Sequence, residues 1–186
     1  SMLRETIIAA TLVAVAAPTA QAQTPREILT TAAFQTTSKA KALSLVNQAI
    51  AQSDQILAAR AGDREATLQR GVAIGYRAKL TRNRTDAKAS LAIFQALAAQ
   101  NPNDPEAQMV VAGWHLDAID QLGSLIARTG LGAKAQSGEA ALRRGVTLGG
   151  DRAFYLGLAA LMKIRLNPSA VEEARRWAQA ASTAAT

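Results

Sequence analysis

The chain contains no cysteine, so disulfides, thiolate zinc sites and cysteine nucleophiles are excluded. This does not argue against export, because a long helical domain needs no covalent staples. Histidine occurs once, at position 115, so no two histidines can share a metal. A serine–histidine–acid triad fits poorly as well, since Ser124, Ser137 and Ser169 have no elbow motif around them. Aromatic residues make up only 4%, and surfaces that stack nucleic-acid bases depend on them. Alternating β-branched runs are missing, so no strand is expected. No apolar run approaches the ~20 residues that a spanning helix requires.

What is present points to helices. Apolar residues make up 49% of the 186-residue chain, enough for one domain with a sizeable core. Much of that share is alanine, the best helix former and a residue with little side chain to bury. Such a composition suits helices in close contact. The formal net charge is +7, with cations spread along the helical segments: Arg60, Arg64, Arg70, Arg77, Lys79, Arg82, Arg84. A solvated basic face accounts for most such patterns, and an acidic partner or anionic surface is the functional alternative.

The first residues have the order of a secretory leader. Arg4 precedes an apolar run from about Ile7 to Ala17, and Pro18 and Ala20-Gln21-Ala22 supply a small-residue cleavage site. Cleavage after Ala22 leaves Gln23 first, with no permanent anchor, and in a Gram-negative cell the destination is the periplasm. An amphipathic N-terminal helix is the alternative reading of the same residues.

Beyond it, residues 23–37 read as a polar linker with one possible short helix after Pro25. A long helix is expected from about Ser38 to Ala61, with Leu43, Val46, Ile50 and Leu57 along one face. Asp63 caps the next, to about Arg82. There Gly71 and Gly75 lie four apart, each disfavoured by roughly 1 kcal/mol against alanine, which calls for a close helix contact in compensation. Thr85 or Asp86 begins another helix, with Leu91, Phe94, Leu97 and Ala98 inward. After the turn Asn101-Pro102-Asn103-Asp104-Pro105, a helix opened by Pro105 extends to about Arg128. Gly130 and Gly132 break the chain, a helix follows from Ala133 to Thr147, and Asp151 and Asn167-Pro168 open two more. The count is about seven helices in series, joined by short turns.

The stretch from Ala87 to Trp114 resembles a tetratricopeptide repeat, a unit of about 34 residues made of two antiparallel helices with small residues at their crossing. Ser90 stands at a small crossing position, Phe94 at the aromatic one and Pro102 at the closing proline. Val111 and Ala112 continue as the leucine-glycine pair of the following unit, with His115 where an aromatic is usual. Phe154-Tyr155-Leu156-Gly157-Leu158-Ala159 is a second partial match. Departures are plain: Gln108 replaces the common tryptophan, Leu97 the common alanine, and the helix after Pro105 is too long. The resemblance implies an all-α fold of antiparallel helical hairpins stacked as a short tetratricopeptide-like α-solenoid over residues 38–183. It also implies a concave flank that holds a protein or peptide partner, as in scaffolding proteins of the cell envelope.

Several constellations have both a functional and a structural reading. His115 shares a helical stripe with Val111, Ala118 and Leu122, which favours a satisfied histidine in the core or at a groove edge. Proton transfer would need a partner from another helix. Asp117 and Asp120 could pass for a carboxylate pair, but solvation is the better account. The glycines around Lys134 lack the preceding strand and the spacing of a phosphate loop. No catalytic residue, cofactor or metal is therefore expected, nor nucleic-acid binding or stable membrane insertion after cleavage. The candidate partner-binding residues are Trp114, His115, Tyr76, Arg77 and Tyr155. The alternative occupant of the flank is a small apolar ligand in a pocket between helices, as in an accessory to solute transport.

Overall fold

The computed structural model describes residues 22–149, together with Glu172, Arg175, Arg176, Gln179 and Ala180. Among these lie seven helices and no strand: α1 (Pro25–Phe34), α2 (Lys39–Ala59), α3 (Arg64–Thr81), α4 (Arg84–Gln100), α5 (Pro105–Leu122), α6 (Ser124–Leu131) and α7 (Ala135–Gly149). The leader segment, the match at Phe154–Ala159 with Tyr155, and the helices expected after Asp151 and Pro168 fall outside the described residues, apart from the few named above.

Local chemistry starts the first five helices. Thr24, Ser38, Asp63, Asn83 and Asp104 each turn a side-chain oxygen onto a backbone N–H of the first turn, satisfying donors that the helix leaves open. Thr24 and Glu27 form a reciprocal capping box. Pro105 occupies the first position of α5, as its missing N–H allows.

The helices pair as α1/α2, α3/α4 and α5/α7, each hairpin leaning on the next through α2 against α3 and α4 against α5. Three cores result. Ile28, Val46, Ala49 and Ile74 fill the first, between α1, α2 and α3. Leu68, Phe94, Leu97, Trp114 and Ala127 fill the second, between α3, α4, α5 and α6. Met109, Leu116 and Leu142 fill the third, between α5 and α7. The close contact anticipated from Gly71 and Gly75 is the α3/α4 crossing. The Ser90 hydroxyl donates to the Gly71 carbonyl at 2.7 Å, and a Cβ at Gly75 would meet that same oxygen at 2.7 Å.

Two expectations need correction. Residues 23–37 are not merely a linker: Ile28 and Ala32 of the ten-residue α1 are fully buried on α2 and α3. The short helix expected after Pro25 is there, but the polar, threonine-rich composition hid its packing, which rests on Ile28, Leu29 and Ala32. The helix after Pro105 also does not reach Arg128. It stops at Leu122, because Gly123 adopts φ +78° and ψ 157°, a conformation open to glycine. The excess over a repeat is a separate eight-residue helix, α6, inserted between the two members of the third hairpin and ended by left-handed Gly132.

One edge of the stack carries an ion network. Arg26, Glu65 and Glu106 are each the second residue of α1, α3 and α5. The Arg26 guanidinium reaches Glu65 at 2.7 Å and Glu106 at 2.9 Å, and Arg64 reaches Asp104 at 2.7 Å and Glu106 at 3.0 Å. Hydrogen bonding from Arg26 holds the Glu65 carboxyl below its ordinary pKa. The same position in successive hairpins is thus tied across the stack, which puts α1, α3 and α5 side by side with their N-termini together.

Candidate functional site

Between α1, α3, α5 and α6 the structure leaves a cavity of about 660 Å³, open to solvent. Its walls are mostly apolar: Leu29 and Ala33 of α1, Val72 and Tyr76 of α3, Met109, Val110 and Leu122 of α5, Ile126 and Leu131 of α6. Cations stand only around the α3–α4 turn, as Lys79, Arg82 and Arg84. At the other end Glu106 is already engaged by Arg26 and Arg64. A second, polar hollow of about 310 Å³, walled by Thr36, Thr37, Ser38 and Lys39, shares Tyr76, Lys79 and Arg82 with the first.

Of the residues singled out from sequence, the structure brings Trp114 and Tyr76 to this cavity. Trp114 is 9% exposed, and its indole N–H donates to the Ala87 carbonyl at 2.9 Å, so it is wall rather than free anchor. The Tyr76 hydroxyl points to the Ala32 carbonyl at 3.4 Å, closing the gap between α3 and α1. Arg77 does not line the cavity. Its guanidinium grips Asp86 at 2.8 and 3.1 Å and Asn47 at 3.2 Å, tying α3 to α4 and α2.

His115 is also turned away from the cavity and is 2% exposed. The Lys134 backbone N–H donates to its Nδ1 at 3.0 Å, and its ring meets Trp114 edge-on at 5.1 Å between centroids. Nε2 is buried with no partner among the described residues. Burial, then the nearby Lys134 charge, lowers its pKa from 6.5. A base whose folded pKa is depressed binds fewer protons folded than unfolded, so stability is lost as pH falls below about 6.5, by at most about 1.4 kcal/mol per pH unit. Urea unfolding at pH 7 and pH 5 should show this slope, and His115→Gln should remove its share. An equal slope in the variant would place the responsible proton elsewhere.

Sequence reasoning passed over the cationic turn, treating Arg82 and Arg84 as part of a solvated face. It also missed three exposed apolar side chains on helices that wall the cavity: Phe34, 85% exposed, on α1, and Leu125 and Ile126, 75% and 57% exposed, on α6, of which Ile126 lines it. The available signal was Arg82-Asn83-Arg84 itself, a helix-capping asparagine between two arginines. Asp117 and Asp120 do not form a site; Asp117 pairs with Lys79 at 3.4 Å. Among the described residues, no three His, Asp or Glu side chains come together as metal ligands, and no helix is long and apolar enough to cross a membrane.

Comparison with known proteins supports the architecture. No family model matches the chain, and no curated protein does. Among solved structures, MamA 41-end from Desulfovibrio magneticus RS-1 superposes with a TM-score of 0.50 at 15% identity, covering 86% of this chain and 82% of that one. The MamA RS-1 ArsTM double mutant gives 0.50 at 16% identity, covering 86% and 74%. Both are tetratricopeptide-like helical solenoids, and the likeness at this identity is one of fold: this chain is an all-α, tetratricopeptide-like stack of antiparallel hairpins.

Proposed function

We propose that this chain is a helical-repeat binding module of the cell envelope, a scaffold or adaptor that holds a protein partner against its concave side. The observation that carries the reading is the pairing of an apolar hollow with uncovered apolar side chains beside it. Ile126 lines the hollow, and Phe34 and Leu125 follow and precede the lining residues Ala33 and Ile126 in the chain. Large apolar residues this exposed, on two helices flanking one hollow, mark a surface built to be covered. The tetratricopeptide-like fold supports the same reading, because stacked hairpins present a continuous flank to a partner.

The envelope address rests on the order of residues 1–22. N-terminal sequencing of the protein recovered from a periplasmic fraction should begin at Gln23. Recovery from the cytoplasm with those residues attached would remove the address.

The partner reading is tested by placing a photo-crosslinking amino acid at Phe34, Ile126 or, as a control away from the cavity, exposed Gln95 of α4. Adducts from Phe34 and Ile126 should contain one and the same protein, absent from the Gln95 sample. Identical adducts at all three positions, or none at the first two, would refute it. A second reading, a small apolar ligand held in the hollow, is favoured by the cavity volume, which falls within the few hundred to one thousand Å³ typical of such sites.

A further inference from the structure

We infer that the cavity binds a single-chain amphiphile, its apolar tail along the α3–α5 walls and its anionic head at Arg82 and Arg84. The inference rests on the small-ligand reading just given, and partner binding at the flanks stands or falls separately.

Charge complementarity fixes the head. Seven arginines lie in and between α1 and α4. Arg26, Arg60, Arg64, Arg70 and Arg77 each hold a carboxylate of this chain. Among the described residues Arg82 and Arg84 hold none, and both line the cavity. Arg82 also breaks a local rule: it adopts φ 55° and ψ 38° at the end of α3, a left-handed conformation that glycine takes without steric cost. A cation held in such a conformation beside an apolar hollow is what a site kept for binding looks like.

The walls fix the body. An extended peptide would bring a row of N–H and C=O groups into a cavity with few polar groups to meet them. The Ser90 hydroxyl is already spent on Gly71, and unmet polar groups oppose burial. A helix, about 10–12 Å across, would fit for only about a turn and a half in 660 Å³. An alkyl chain has no hydrogen bonds to satisfy. All the cations stand at one end, which suits a ligand with one charged terminus.

The test is calorimetric titration of the full chain, below micellar concentrations, with dodecanoate, dodecyl phosphate, dodecanol and dodecylamine, and with octanoate as a shorter acid. Dodecanoate or dodecyl phosphate should bind one to one, about tenfold tighter than dodecanol and tighter still than dodecylamine, a difference the charge-assisted contacts can supply. The tighter of the two anions identifies the head group. Octanoate should bind more weakly than dodecanoate. The double variant Arg82→Gly, Arg84→Ala should keep or raise the thermal midpoint while bringing dodecanoate down to the affinity of dodecanol. Equal affinities for acid, alcohol and amine would overturn the assignment of the head and leave an apolar-ligand cavity standing. No binding by any of them, or no dependence on chain length, would overturn the cavity reading itself.

Discussion

Replacing Trp114 with alanine lowers the unfolding free energy by about 3–5 kcal/mol, the range for a large aromatic removed from a core. The indole packs with Leu68, Phe94 and Leu97, so its loss opens a hole where three hydrophobic side chains meet. Its N–H bond to the Ala87 carbonyl ties α5 to the first turn of α4, at the seam where the second hairpin meets the third. Trp114→Phe separates the two contributions. The ring volume is largely kept and one hydrogen bond of about 0.5–1.5 kcal/mol goes, so the loss should fall well below that of the alanine variant. Urea denaturation with matched slopes measures both. A loss under about 1 kcal/mol for alanine would mean that α5 is not seated on α4 as described.

Gly71→Leu destabilises by about 3 kcal/mol or more, at or above the upper end for overpacking a filled core. A Cβ at this position would lie 2.6 Å from Phe94 Cε1 and 2.9 Å from Ile93 Cγ2. Ile93 can turn, but Phe94 is buried among neighbours and cannot move without parting α3 from α4. Helix propensity acts in the opposite sense and is worth only about 1 kcal/mol, so even Gly71→Ala should come out unfavourable. Gly130 supplies the control. It lies within α6 with nothing near its missing Cβ, and alanine there should stabilise by a few tenths to about 1 kcal/mol. If both glycines tolerate alanine equally in thermal melts, the α3/α4 crossing is looser than it appears.

The elements legible in the sequence were those with strong local chemistry. Asp63 and Pro105 announced their helices, and the costly Gly71 and Gly75 announced a close crossing. Ser90 and Phe94 fell where the repeat resemblance put them. The place of α1 in the core was obscured because its buried stripe rests on few residues, chiefly Ile28, Leu29 and Ala32, among threonines. The end of α5 was obscured because apolar residues continue past Gly123 in register, and a single glycine inside an apolar stripe is ambiguous until its φ is known. For the cavity, periodicity brought Trp114 and Tyr76 forward as aromatic, but could not tell which cations were already paired. Arg77 and Arg82 look alike in one dimension. The first is held by Asp86 and Asn47, and the second meets no acidic residue among those described.

The Arg26–Glu65–Glu106 lacing also makes the stack unequal from end to end. Helices α1, α3 and α5 are bound together at their N-terminal tips by two bidentate contacts of Arg26, whereas toward the opposite tips the longer Tyr76–Ala32 and Lys79–Asp117 contacts join α3 to α1 and to α5. The cross-links that fix the spacing of the three helices are therefore concentrated at the Glu106 end of the hollow, away from the two arginines.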